Sequence, residues 1–160
     1  MAENDIHIDL VNIKGESLDA AHGKSIQLED FSFSVRTPLD VATNLPSGKR
    51  HWSPLTIRKR TDAATPILIK AVVEGTVIDS GKLIVRKAGG SSQQEYLVIE
   101  LTNVAISSYV VSIPAGELPV ETAELAFSKI QVTYKTQSAT GQVGGGIQMS
   151  DVISEPPKRD

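Results

Sequence analysis

The chain has 160 residues, of which 40% are hydrophobic and 22% are charged, and its formal net charge is −3. This balance is typical of a single soluble domain, and the acidic charge argues against nucleic acid as a partner. The absence of cysteine excludes disulfides, thiolate metal sites and a cysteine nucleophile. The acidic N-terminus does not resemble a signal peptide, and no apolar run approaches the roughly 18 residues of a membrane span. We therefore expect no membrane insertion.

The first elements in the chain have the pattern of strands. IHIDLV at 6–11 alternates apolar and polar residues, as a half-buried strand does. IQLEDFSFSV at 26–35 continues the pattern, with Phe31 and Phe33 on one face and serines on the other. A pair of strands is predicted here.

A long segment without periodicity follows at 36–54, RTPLDVATNLPSGKRHWSP. It contains three prolines and is predicted to be an extended loop. Loops of this length without their own structure tend to be functional. Trp and Arg are enriched anchors of protein interfaces, whereas a solvated loop does not need exposed apolar side chains. The candidate interface residues of this loop are Leu39, Val41, Leu45, Arg50 and Trp52.

One helix is predicted, at about residues 62–74, after a short strand at 55–60. Asp62 can cap its first amides, Pro66 suits its first turn and Gly75 ends it. Its apolar face is predicted to contain Leu68, Ile69, Val72 and Val73.

The remaining chain predicts long strands followed by a tail. The segments at 82–90, 93–112 and 121–136 read as strands, and the alternation in the last slips at Ser128 and Lys129, as at a β-bulge. Residues 141–160 contain GGG and EPPKRD and are predicted to be a flexible C-terminal tail. Residues 1–160 therefore read as a single, mainly β domain, a barrel or a sandwich, with one helix.

Two serines in the long strand, Ser107 and Ser108, are the first candidates for catalysis. A serine nucleophile needs a sharp turn and a base, but no G-x-S-x-G elbow surrounds this pair. Strand alternation places the two side chains on opposite faces, Ser108 with Ile106 and Ser107 with Tyr109. Similarly, GGG at 144–146 lacks the Lys-Ser/Thr and the helix of a phosphate loop. We predict no catalytic or cofactor-binding residues.

The histidines are the candidates for metal binding. Only His7 shares a predicted strand face with a nearby carboxylate, that of Asp9, and two ligands do not make a site. The other two histidines are isolated from them in the sequence, His22 and His51. We predict no metal site.

Several segments in the same order together resemble the Hcp family, the tube proteins of the bacterial type VI secretion system. The matching segments cover most of the chain. They are GESLDAAH at 15–22 with LEDFSFSV after it, IRKRTDAATPILIKAVVEG at 57–75, KAGGSSQQEYLVIELTNVAISSYVVS at 87–112 and ETAELAFSKIQVTYKTQSATGQVGG at 121–145.

The resemblance implies a small β-barrel of two packed antiparallel sheets with a flanking helix. It also implies a homohexameric ring, stacked rings that form a hollow tube, and partners in the contractile sheath, the VgrG-type spike and the baseplate. Small effector proteins can travel in the lumen of such a tube. The protein would assemble in the cytoplasm and leave the cell without a signal peptide. The loop at 36–54 then becomes a predicted subunit or ring contact.

Three alternatives stay open on the sequence. A tube protein of a phage tail or related contractile injection particle shares the same ring plan. A monomeric β-barrel binding module would hold a ligand in its interior or on the basic face at 58–60. A serine hydrolase using Ser107 or Ser108 is the weakest. For the loop itself, the alternative is that it folds back on its own barrel.

Overall fold

The computed structural model describes residues 4–13, 15, 25–87, 94–137 and 143–153. These residues form eleven strands and one helix, and every strand pair is antiparallel. The elements in chain order are β1 (Asn4–Leu10), β2 (Ile26–Leu28), β3 (Asp30–Ser32), β4 (Val35–Arg36), β5 (His51–Trp52), β6 (Leu55–Lys59), α1 (Thr65–Glu74), β7 (Val77–Lys87), β8 (Gln94–Ser112), β9 (Val120–Ala126), β10 (Lys129–Gln137) and β11 (Val143–Val152).

Nine of the strands form one sheet whose two ends meet. Seven follow the order β2-β1-β7-β8-β9-β6-β3, while β10 pairs with β8 and carries β11 on its other side. Only Glu29 separates β2 from β3, and its amide donates to the carbonyl of Arg58 in β6 at 2.8 Å. The predicted strand at 26–35 is therefore bent at Glu29, because it must pair with β1 first and with β6 afterwards.

The core fills the inside of this rolled sheet. Alternation along β1 directs Ile6, Ile8 and Leu10 inward, as the sequence predicts. The other strands add fully buried aliphatic side chains: Ile26, Leu55, Ile57, Leu83, Ile99, Leu125 and Ile130. The predicted fold class is confirmed: a mainly β fold in two antiparallel sheets with one flanking helix. The second sheet is only the β4–β5 pair.

Helix α1 begins later than predicted. Its N-cap residue is Ala64, and Asp62, two residues before it, instead accepts a hydrogen bond from the Ala64 amide at 2.9 Å. Gly75 ends the helix in the left-handed conformation, as predicted. The buried face is narrower than predicted, since Leu68 is fully buried whereas Val73 is 80% exposed.

Along the long strand β8, the alternation of inward and outward side chains shifts by one residue at two positions. Asn103 has a positive φ of 51°, and the pairing with β9 shifts register between Ile106 and Ser108. Ser107 is the extra residue of this bulge, so Tyr109 points to the core side and Ser108 does not share the face of Ile106. The predicted side-chain phase beyond Ile106 is therefore wrong, because simple alternation does not anticipate an inserted residue.

The C-terminal region also differs from its prediction. Residues 143–152 form β11, which pairs along β10 from Lys129↔Val152 to Gln137↔Val143, so 143–153 are not a flexible tail. The glycines at 144–146 lie within this strand, where the partner β10 supplies the hydrogen bonds. The predicted irregularity at Ser128 corresponds to the break between β9 and β10. The prediction for 154–160 lies outside the described residues.

Candidate assembly surface

The predicted loop at 36–54 is a short hairpin with its own hydrogen bonds. Residues 37–50, called the arm below, connect β4 to β5, and Leu39 bridges Pro46 within it. At the turn, the Asp40 carboxylate accepts hydrogen bonds from the amides of Ala42 and Thr43 at 2.8 and 3.1 Å. This Asx-type turn gives the arm a defined shape although most of it is in solvent.

The tip of the arm is apolar and exposed. Leu39, Val41 and Leu45, called the arm tip below, are 55%, 97% and 63% exposed. These three predicted interface residues contact solvent, whereas an arm folded back on its own barrel would bury them. The arm therefore holds a small apolar surface away from the core.

The base of the arm is attached to β11. Arg50 forms a two-pronged ion pair with the Asp151 carboxylate and also donates to the carbonyl of Val152 at 3.0 Å. Trp52 Nε1 donates to Asp151 Oδ2 at 2.8 Å. Arg50 and Trp52, the other two predicted interface residues, thus make contacts within the chain, and Asp151 joins them.

Aromatic packing strengthens the same attachment. All three phenylalanines and the single tryptophan of the chain lie in one row. Phe33 stacks on Trp52 at 6.1 Å between ring centroids, and Trp52 meets Phe127 edge-on at 6.2 Å. Such pairs stabilise by about 0.5–1.5 kcal/mol each beyond their buried area. The base of the arm is therefore fixed to the barrel by aromatic contacts as well as by hydrogen bonds.

The charges at the arm base keep each other ionised. Hydrogen bonds from Arg50 and Trp52 lower the pKa of Asp151, and the bond to Asp151 raises the pKa of Arg50. The attachment therefore persists across the neutral range. Nothing in the sequence pointed to Asp151, because it lies in a segment whose composition predicts a tail.

A second polar group lies buried where β6 meets α1. Lys59 and Glu121 are fully buried and joined at 2.7 Å, and the Lys59 ammonium also lies 2.9 Å from Asp62 Oδ1. Thr65 and Tyr109 donate to Glu121 Oε2 at 2.9 and 2.6 Å. This set of residues is called the junction network below.

Hydrogen bonding keeps Glu121 of the junction network ionised. Burial opposes the charge on Glu121, but the bonds from Lys59, Tyr109 and Thr65 outweigh it, so the pKa of Glu121 is lowered. Burial and the bond to Glu121 raise the pKa of Tyr109. The sequence did contain a sign of this buried pair. Alternation places Lys59 on the same face of β6 as Leu55 and Ile57, and Glu121 on the same face of β9 as Ala123.

Three of the other candidate residues lie in three different strands: Ser107 in β8, His7 in β1 and His51 in β5. Ser107 is exposed, and its hydroxyl donates to the carbonyl of Glu124 at 3.3 Å. His7 faces Asp5 at 2.8 Å and not Asp9, which is exposed. Within the described ranges, no group of three or more His, Cys, Asp or Glu residues could hold a metal. His51 is exposed in β5, and His22 lies outside the described residues.

One cluster that the sequence analysis missed has the composition of a catalytic triad. Ser25 Oγ lies 3.4 Å from His7 Nδ1, whose ring binds Asp5 on its other side. However, Ser25 and His7 are each only 2% exposed, and Arg86 bonds to the Asp5 carboxylate and lies 3.3 Å from His7 Nε2. A substrate cannot reach a serine buried in this way, so the geometry favours a structural role.

No helix in the described part of the chain has the length and apolar character that crossing a membrane requires.

Comparison with known proteins agrees with the fold and the resemblance. Residues 6–134 match the family described as type VI secretion system effector, Hcp. Protein hcp1 of Pseudomonas aeruginosa is 34% identical over 145 residues, which cover 89% of this chain and 90% of the relative. The structure of a type six secretion system protein superposes with a TM-score of 0.84 at 27% identity, over 91% of this chain and 92% of that chain.

Hcp1 from Salmonella typhimurium superposes with a TM-score of 0.78 at 26% identity, and 96% of each chain is covered. The resemblance found in the sequence is thus confirmed by the family match, by a relative of nearly equal length and by solved structures. The chain therefore belongs to the Hcp family, the tube proteins of the type VI secretion system.

Proposed function

We propose that this protein is the structural subunit of a type VI secretion inner tube, and that six copies close into a ring and the rings stack into a hollow tube. Family membership supports the tube role, and the exposed arm tip is the structural observation that supports assembly. An arm with three solvated aliphatic side chains gains nothing from them as a monomer, whereas a neighbouring subunit can bury them.

The attachment of the arm base to β11 supports a role in contact between subunits or rings. Binding through a flexible loop costs free energy, because the loop must be ordered when it binds. Here Arg50 and Trp52 already hold the arm against β11, so the arm tip is presented in one place. We assign Leu39, Val41 and Leu45 to direct contact with a neighbouring copy, and Arg50 and Trp52 to positioning.

The partners of the tube follow from the same proposal. A sheath contracts around the stacked rings, a VgrG-type spike and baseplate proteins meet the tube end, and small effectors occupy the lumen. The subunit is cytoplasmic during assembly and leaves the cell with the tube. The protein acts by assembly, so we propose no catalytic residue.

Electron microscopy and sedimentation of the purified protein test the proposal. We expect open-centred rings at micromolar concentration, and persistent monomers would contradict it. The double variant Val41→Ser/Leu45→Ser is expected to weaken ring formation or ring stacking while its thermal unfolding stays unchanged, since both side chains are exposed. Ala42→Ser, at the same turn, is the matched control and is expected to assemble normally. Unchanged rings and stacks in the double variant would contradict the arm assignment alone.

A further inference from the structure

A recess lies on the side of the sheet that faces away from the core, across β1, β7, β8 and β10. It has a volume of about 460 Å³ and is called the polar depression below. Register places Ser80 opposite Thr102, and Thr102 opposite Lys129, so these three side chains share one face. The short side chains of Ser80 and Thr102 form the floor, and longer charged side chains surround them. This recess is separate from the arm and from the junction network.

The charges around the polar depression alternate in sign. Two residues along from the floor, pairing aligns Asp9, Lys82, Glu100 and Gln131 in a second row on the same face. From β10 to β1 the order is therefore a cation at Lys129, an anion at Glu100, a cation at Lys82 and an anion at Asp9. Gln131 donates to Glu100 at 2.9 Å. Among the described residues, Asp9, Lys82 and Lys129 have no ion-pair partner, so their charges are available to another segment.

The described chain ends beside this depression. Val152, the last residue of β11, pairs with Lys129, and the Ile153 amide donates to the carbonyl of Ser128 at 2.7 Å. Residues 154–160, SEPPKRD, follow directly and contain charges of both signs. The polar depression begins one strand away from this point, at Lys129.

The length of the segment matches the width of the polar depression. Four strand spacings separate β11 from β1, which is about 19 Å. An extended chain advances about 3.3 Å per residue, so the six residues from Ile153 to Arg159 span about 20 Å. Consecutive prolines, as at 156–157, favour an extended backbone. Residues 154–160 can therefore cross the whole depression from its β10 side to β1.

The order of charges in the segment also matches the order on the sheet. An extended crossing brings charged side chains of the segment to charges of opposite sign: Glu155 to Lys129, Lys158 to Glu100, and Arg159 to Asp9. Each such surface pair is weak by itself. Because the segment is attached beside the depression, its local concentration there is in the millimolar range, so even a weak contact is populated.

We propose that residues 154–160 bind as a strap in the polar depression of their own subunit. The tube role requires neither this segment nor this recess, so the inference goes beyond the proposed function. It is also independent of ring formation, because both partners belong to one chain. While the strap is bound, the polar depression is closed to other charged peptides, and high ionic strength releases it.

Disulfide trapping tests this proposal, since the chain has no cysteine. Pro157→Cys with Ser80→Cys places one thiol in the segment and one on the floor of the depression. Pro157→Cys with Asp79→Cys is the matched control, because Asp79 is adjacent and exposed but lines a different recess, beside α1. We expect the first pair to form an intrachain disulfide roughly tenfold faster than the control pair.

Two outcomes of this trapping experiment would overturn the proposal. The first is an equal rate for the two cysteine pairs, which would show that the segment has no preference for the depression. The second is a disulfide that forms mainly between chains, seen as a dimer on a non-reducing gel, which would make the segment of another copy the occupant. Circular dichroism melting checks that both double variants are folded.

Charge reversal in the segment gives a second measurement. In the Ser80→Cys/Pro157→Cys protein, Lys158→Glu/Arg159→Glu is expected to slow the intrachain disulfide roughly fivefold, because like charges then meet at Glu100 and Asp9. Lys158→Arg/Arg159→Lys keeps both charges and is expected to leave the rate unchanged. Raising NaCl to about 0.5 M is expected to slow the reaction of the unreversed protein in the same way. A rate that charge reversal leaves unchanged would overturn the proposal.

Discussion

The arm tip and the junction network place side chains in opposite environments from those they usually occupy. At the arm tip, aliphatic side chains lie in solvent, and in the junction network a lysine and a glutamate lie in the core. The two regions differ in whether the side chains have a partner within the described chain. Lys59 contacts Glu121 and Asp62 in its own chain, whereas no part of the chain that the structure describes covers Val41, which is 97% exposed. The buried charges therefore have their partner within the chain, whereas for the exposed arm tip we propose a partner outside it.

The largest effect is expected from breaking the junction network. Lys59→Met leaves the buried Glu121 carboxylate without its cation and is expected to lower the free energy of unfolding by about 3–5 kcal/mol. Arg58→Gln, one residue away on the exposed face of the same strand, removes only a surface pair with Asp30 and is expected to cost about 1 kcal/mol or less. Urea unfolding measures both. Equal losses of unfolding free energy for the two variants would show that the buried pair stabilises the fold no more than the surface pair does.

A smaller effect is expected at the arm base. Trp52→Ala removes two ring contacts and the bond to Asp151, and we expect it to lower stability by about 2 kcal/mol, since Trp52 is only partly buried. The monomer stays folded, but ring formation or stacking weakens because the arm loses its position. Trp52→Phe keeps the packing and is the control. Sedimentation that shows unchanged assembly for Trp52→Ala would contradict the positioning role.

The smallest effect is expected from pH. The pKa of Asp151 is lowered in the folded state, so the stability it contributes is present above its ordinary value of 3.8 and is lost as pH falls through the folded value. The difference in unfolding free energy between wild type and Asp151→Asn is therefore expected to be constant between about pH 5 and 7 and to shrink below about pH 4. The fluorescence of Trp52, the single tryptophan, reports the same step. A change in the stability difference or in the Trp52 fluorescence centred near neutral pH would contradict the assignment of this step to Asp151.

Much of the barrel was predictable because its strands carry their own period. Leu55 and Ile57 in β6, and Ile6 and Ile8 in β1, are buried as alternation predicts. The start of α1 was less predictable, since Asp62 uses its carboxylate for Lys59 and the Ala64 amide. β11 was missed because a strand with three glycines has little β-propensity of its own and forms through pairing with β10.

The candidate surface was only partly predictable. Composition marked all five loop residues as an interface, and the structure separates them into an exposed tip and a base bound within the chain. That separation depends on Asp151, which lies roughly 100 positions along the chain from Arg50 and Trp52. Contacts at such sequence separation leave no trace in local pattern.

By itself, the sequence determined the mainly β class and the apolar character of the arm, because periodicity and composition are local properties of the chain. The family came from the resemblance of several ordered segments to its known members. The tertiary structure alone decided which of those apolar residues remain exposed. It also decided that Lys59 meets Glu121 and that the β10–β11 hairpin has one polar and one apolar face. These depend on strand register, which places residues distant in sequence on a common face and leaves others without a cover.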